Sequence, residues 1–215
     1  MTILMIRSWI HLHPLADLYD HIIFTFFFLC AIKCLICSTL FHIHFCRSEE
    51  MWIAYGCLDF AGISMLICGS FSLVTYYSYY GEGFWQTFYM IKIVAVSSVG
   101  ILGPMFPIWK TAQFRWGRVI VYFFSVVISA YPVISYVISN AAAELRPFLK
   151  GWPAVILCYG LGAVIYGTQF PERFAPGKFD IWLHSHQIWH ILIVAAVVLQ
   201  YQCYLNLLEW RLLGE

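Results

Sequence analysis

"HIIFTFFFLCAIKCLICSTLFHIHF", residues 21–45, carries one charged side chain, Lys33, and its apolar residues run on without alternating with polar ones. A strand of a membrane barrel would show about ten residues of strict alternation, whereas a helix crossing the hydrocarbon core needs about 20 continuous apolar residues. This stretch therefore reads as a transmembrane helix. Similar runs follow near 53–80, 86–109, 117–139, 152–170 and 185–208, so six spans are expected. Backbone polar groups in lipid must pair within their own segment, which makes the spans helical, with Pro104, Pro107 and Pro132 as expected kinks or ends.

Composition agrees with this class. The 215 residues are 62% hydrophobic and 11% charged, against roughly 25% charged in soluble domains. The expected architecture is an all-α polytopic bundle: a short N-terminal segment over 1–20, one helical membrane domain over 21–210 and a tail at 211–215. A net charge of +1 gives no reason to expect a nucleic-acid partner. The eight cysteines fall mostly inside the spans, where a free thiol packs as a small apolar group; "CLIC" at 34–37 matches CxxC spacing but has no second pair. The opening "MTILMIRSWIHLHPL" lacks the apolar core and cleavage site of a signal peptide.

Alternating spans put the breaks at 46–52, 110–116 and 171–184 on one side of the membrane. That side holds Arg47, Lys110, Arg115, Arg173 and Lys178, with Arg118 nearby; the other holds Arg7, Arg146, Lys150 and Arg211. Six cations against four favour the first side as cytoplasmic, which leaves the carboxyl terminus extracellular or lumenal.

The same alternation brings His42, near the end of the first span, Asp59, near the start of the second, and His186 and His190, at the start of the last, to one depth. His186 and His190 are four residues apart and share a helix face. Ionisable groups in the membrane are costly unless paired, hydrated or bound. Three neutral imidazoles suit Zn²⁺, and three protein ligands leave the open position of a catalytic site. Asp59 could then hold a water and take its proton, while Ser38, one turn before His42, could orient the imidazole or touch substrate. His44 competes with His42, but two residues apart they face different sides. Gln187 stands where HExxH would have its glutamate, so a metalloprotease lacks its base. The plainer reading is that these histidines bond to neighbouring helices, and that His11, His13, His21 and His184 sit among headgroups. Lys33 and Lys92 are expected to snorkel or pair, and "YYSYY" at 76–80 to form an interfacial aromatic belt.

"CSTLFHIHFCRSEE" (37–50), "LDFAGISMLICGSF" (58–71) and "PERFAPGKFDIWLHSHQIWHILIVAA" (171–196) resemble, in this order, the progestin and adipoQ receptor family, most closely its adiponectin-receptor branch, related to haemolysin III-like proteins. The resemblance covers roughly 22–210 and is thinnest between 86 and 150. It implies zinc held by His42, His186 and His190, a catalytic role for Asp59 and Ser38, and an amide hydrolase acting on a ceramide-like membrane lipid. It further implies an extracellular protein or steroid ligand, a carboxyl terminus outside, and a multi-pass protein able to form homo-oligomers. The family has seven spans, so the chain is expected to lack the first of them, "IRSWIHLHPLADLYD" being too polar to cross. A receptor or scaffold with structural zinc, a metal-free bundle and an inactive truncated isoform are the competing expectations.

Overall fold

The computed structural model describes residues 1–12, 14–139, 150–179 and 181–213. His13, Arg146 and Asp180, invoked above for the membrane boundary, the charge count and the third motif, lie outside the described residues. The chain divides into two compact units, Met1–Ser139 and Asn140–Glu215, within the stretch that the apolar pattern suggests as one domain.

In the first unit, α1 (Thr2–His11), α2 (Leu18–His44), α3 (Glu49–Ser78), α4 (Gly83–Leu102) and α5 (Arg115–Ser139) follow one another. The opening segment, too short to span, is thus helical over α1. A capping box starts α2: the Asp17 carboxylate accepts from the Asp20 amide at 3.0 Å, and the Asp20 carboxylate accepts from the Asp17 amide at 2.9 Å. Ser48 starts α3 by accepting from the Met51 amide at 3.2 Å. The span expected over 86–109 ends early, at Leu102, because Gly103, Pro104 and Pro107 break the helix ladder; short 3₁₀ turns at Gly103–Met105, Pro107–Lys110 and Ala112–Phe114 carry the chain to α5. Pro132 lies within α5.

α3 is the hub of this unit, packing most broadly on α2 and also on α4 and α5. Small residues permit this closeness. A Cβ on Gly62 would sit 3.0 Å from the Cys34 Cα, and one on Gly69 would sit 2.7 Å from the Cys30 Cβ. Phe24, Phe27, Leu73, Val74, Tyr77 and Ile93 are among the buried side chains. The tyrosine run is only partly a belt. Tyr77 is buried and donates at 2.9 Å to the equally buried Asp20 carboxylate, while Tyr79 donates to the Pro132 carbonyl at 2.9 Å. Lys92 lies over the rings of Tyr89 and Tyr131, at 5.4 and 4.6 Å. All eight cysteines are free, and Cys34 of the CxxC is buried against Gly62.

The second unit contains α6 (Trp152–Thr168) and α7 (Ser185–Leu213), packed along one another. Gly162 accepts the Trp189 ring, 2.9 Å from where a Cβ would stand, and Tyr159 donates to the Gln200 side-chain oxygen at 3.2 Å. Of the described helices, α2, α3, the α4 segment through Met105, the Ile120–Ser139 part of α5, and α7 are long and apolar enough to cross a membrane. α6 is apolar but shorter, 17 residues or about 25 Å. The chain is an all-helical, multi-pass membrane protein.

Candidate metal centre

His42 lies in the last turn of α2, and Asp59 lies some three turns into α3. Because Gly62 brings α3 against Cys34, one turn before Ser38, the Asp59 carboxylate comes to face both the Ser38 hydroxyl and the His42 imidazole. Ser38 is 6% exposed, so its hydroxyl is held within the α2–α3 seam. His44, the rival of His42, stacks on Tyr55 with ring centroids 4.6 Å apart and planes at 18°. Its ring is committed to that contact, and the choice of His42 over His44 follows the alternation of helix faces.

In the second unit, the His186 and His190 rings meet edge to face, centroids 4.8 Å apart, as an i, i+4 pair should. Tyr166 of α6 packs against His186 at 5.3 Å. The start of α7 is fastened by residues that spacing alone did not single out for this purpose. The Glu172 carboxylate accepts from the Ser185 amide at 2.8 Å and from the Ser185 hydroxyl, a side-chain cap reaching back from the preceding loop. Desolvation raises the Glu172 pKa, but the hydrogen bonds from Ser185 outweigh it and hold the carboxyl below its ordinary value of 4.5. Gln187, which occupies the place of the metalloprotease glutamate, fastens its own lead-in: its side chain accepts from the Leu183 amide at 2.7 Å and donates to the Ile181 carbonyl at 3.0 Å. Leu183 is held there at a positive φ of 62°.

His42 of the first unit is exposed, and His186 and His190 of the second are half-buried. Two imidazoles one turn apart on a helix face are a donor pair of a kind that zinc takes. Asp59 lies in the first unit, near Ser38 and His42.

The haemolysin-III-related family model matches residues 1–201. Relatives include heptahelical transmembrane protein 4 of Arabidopsis thaliana, 34% identical over 84% of this chain and 47% of its own length. The adiponectin receptor protein of Drosophila melanogaster is 37% identical, over 85% of this chain and 41% of its own length. Progestin and adipoQ receptor-like protein 1 of Caenorhabditis elegans is 35% identical, over 85% and 42%. The chain thus spans about half the length of these relatives. With three ordered motifs, a helical membrane architecture and a match along most of its length, the chain belongs to the haemolysin-III-related family, as an adiponectin/progestin receptor-like membrane protein.

Proposed function

We propose that this chain binds zinc through His42, His186 and His190 and hydrolyses a lipid amide of the ceramide type within the membrane. The observation that carries the reading is the His186–His190 pair on one face of α7, and in the other unit His42 with the Asp59 carboxylate and the buried Ser38 hydroxyl near it. When bound, zinc supplies a positive charge that polarises a carbonyl and brings the ionisation of water into the neutral range. Asp59 takes the proton of the attacking water as general base and delivers it to the amide nitrogen as the C–N bond breaks, releasing a fatty acid and an amine. Ser38 keeps the carboxylate turned toward His42. Glu172 and Gln187 position the two histidines of α7 by fixing where that helix begins.

The seam of Ser38, His42 and Asp59 lies near the end of α2 that leads to the 46–52 break, the side with more cations, which supports a cytoplasmic-side reaction and a carboxyl terminus outside. An extracellular protein or steroid ligand and a homo-oligomeric state are further parts of this proposal. Purified protein should carry one equivalent of zinc, and labelled ceramide should yield fatty acid. Zinc below about half an equivalent after mild purification, at a level matched by His190→Ala, overturns the metal site. Full zinc without turnover above that variant assigns the ion a structural role.

A further inference from the structure

The turn of α3 that carries Asp59 is gripped from one side by α2, through the close approach of Gly62 to Cys34. A second grip reaches the same turn from α5. Tyr122 donates its hydroxyl at 2.9 Å to the carbonyl of Phe60, the residue next to Asp59, from 62 positions along the chain. The helix ladder already supplies that carbonyl with the Ser64 amide, so the phenol takes its remaining lone pair. A hydrogen bond constrains direction as well as distance, whereas apolar contact is non-directional. The grip from α5 therefore adds what the packing of α2 on α3 does not supply.

The phenol is itself boxed. Phe60 lies nearly parallel to it, centroids 6.1 Å apart and planes at 19°, and Trp109 meets it edge to face at 6.4 Å. A Cβ on Gly100 of α4 would fall 3.2 Å from the Tyr122 ring, so the glycine supplies the room. Arg118 covers the Phe60 ring, its guanidinium 5.2 Å from the centroid, and donates to the Trp109 and Thr111 carbonyls. Trp109, 5% exposed, is seated over Gly103, where a Cβ would fall 2.5 Å from its ring. These contacts leave the phenol little freedom to turn. The Asp59 carboxylate is near enough for the phenol to sense its charge, but the hydroxyl is spent on the Phe60 carbonyl. Tyr122 thus acts on Asp59 through the backbone of the next residue.

We propose that Tyr122 is a positioning residue for Asp59, fixing the α3 turn that carries the carboxylate through its hydrogen bond to the Phe60 carbonyl. This rests on Asp59 serving as the general base, and adds what holds that base in place. The variant is Tyr122→Phe, which keeps the ring and its stacking and deletes the donor. Tyr79→Phe is the matched control: its hydroxyl donates at the same 2.9 Å to a backbone carbonyl, that of Pro132, and it lies about 30 Å along α3 from Asp59. Each variant loses one tyrosine hydrogen bond, so a merely structural role lowers Tm and turnover alike in the two. A positioning role separates them. In the full chain in mild detergent, Tyr122→Phe should lower kcat for ceramide roughly 10-fold with KM within about twofold of wild type, and Tyr79→Phe should leave both unchanged. The infrared band of the Asp59 side chain, isolated by subtracting the spectrum of Asp59→Asn in protein carrying isotope-labelled aspartate, reads the same position without catalysis. Tyr122→Phe should shift or broaden that band, and Tyr79→Phe should not. Zinc content should hold in both variants. Equal effects of the two variants on kcat, or a Tyr122→Phe loss confined to KM, overturn the proposal, as does an Asp59 band that Tyr122→Phe leaves unchanged. Wild-type turnover no higher than that of His190→Ala overturns the amidase reading instead, and the band then decides the positioning role by itself.

Discussion

Replacing Gly62 with alanine tests whether the closeness of α2 and α3 is what makes the Asp59 site. The added Cβ would meet the Cys34 Cα at 3.0 Å, the Cys34 carbonyl oxygen at 3.4 Å and the Cys37 Cβ at 3.4 Å. The first two are backbone atoms, so no side-chain rotation relieves them and the helices must part by a few tenths of an ångström. Overpacking of this kind costs about 1–3 kcal/mol, while alanine in place of a helical glycine recovers about 0.8–1.0 kcal/mol. The balance is a loss of about 0–2 kcal/mol, which at about 2–4 °C per kcal/mol for a chain of this size lowers Tm by no more than about 8 °C. The functional effect should be larger than the thermal one, because Asp59 is one turn from Gly62 and Ser38 is one turn from Cys34. A displacement approaching 1 Å at a reacting group can cost about 100-fold in rate. Gly160→Ala is the control: nothing lies within 4 Å of its added Cβ, so only the helix-propensity gain remains and Tm should hold or rise. The assay is melting in mild detergent together with ceramide turnover, on both variants. If Gly62→Ala melts and turns over like Gly160→Ala, the close seam does not position Asp59 and the reasoning fails.

Asp59→Asn should keep most of its zinc and lose turnover, since residues next to a metal's ligands typically change affinity or activity 10–100-fold while the three imidazoles still hold the ion; zinc loss as complete as in His190→Ala would make Asp59 a ligand. Glu172 makes an acid-dependent prediction. A carboxyl whose folded-state pKa is depressed stabilises the fold above its unfolded value, and that contribution disappears as pH falls through the folded value. Amide exchange at the start of α7 should therefore quicken as pH drops below 4.5, after correction for intrinsic exchange. Glu172→Gln should remove this acid-induced step, and a step of the same size in the variant would exclude the Glu172–Ser185 clamp as its cause.

The apolar runs by themselves determined that this is a helical membrane protein and where most helices lie, because lipid leaves the backbone few ways to pair its polar groups. Helical spacing likewise determined that His186 and His190 share a face and that His42 and His44 do not. Tertiary packing decided the rest. The closeness of Asp59 to Ser38 and His42 rests on Gly62 meeting Cys34, and small residues in a helix do not by themselves name the surface they will meet. Tyr77, read as part of an aromatic belt, turns inward because the buried Asp20 carboxylate, 57 residues away in the chain, needs a donor. Gln187 and Glu172 hold the start of α7 through bonds that depend on how the loop over 169–184 turns back. The turn back over 103–109 comes from a helix that ends at Gly103 and a tryptophan that can lie there only because glycine has no Cβ. Periodicity records which residues shun water, but not which of them will touch; that is set when the side chains of separate helices compete for the same space.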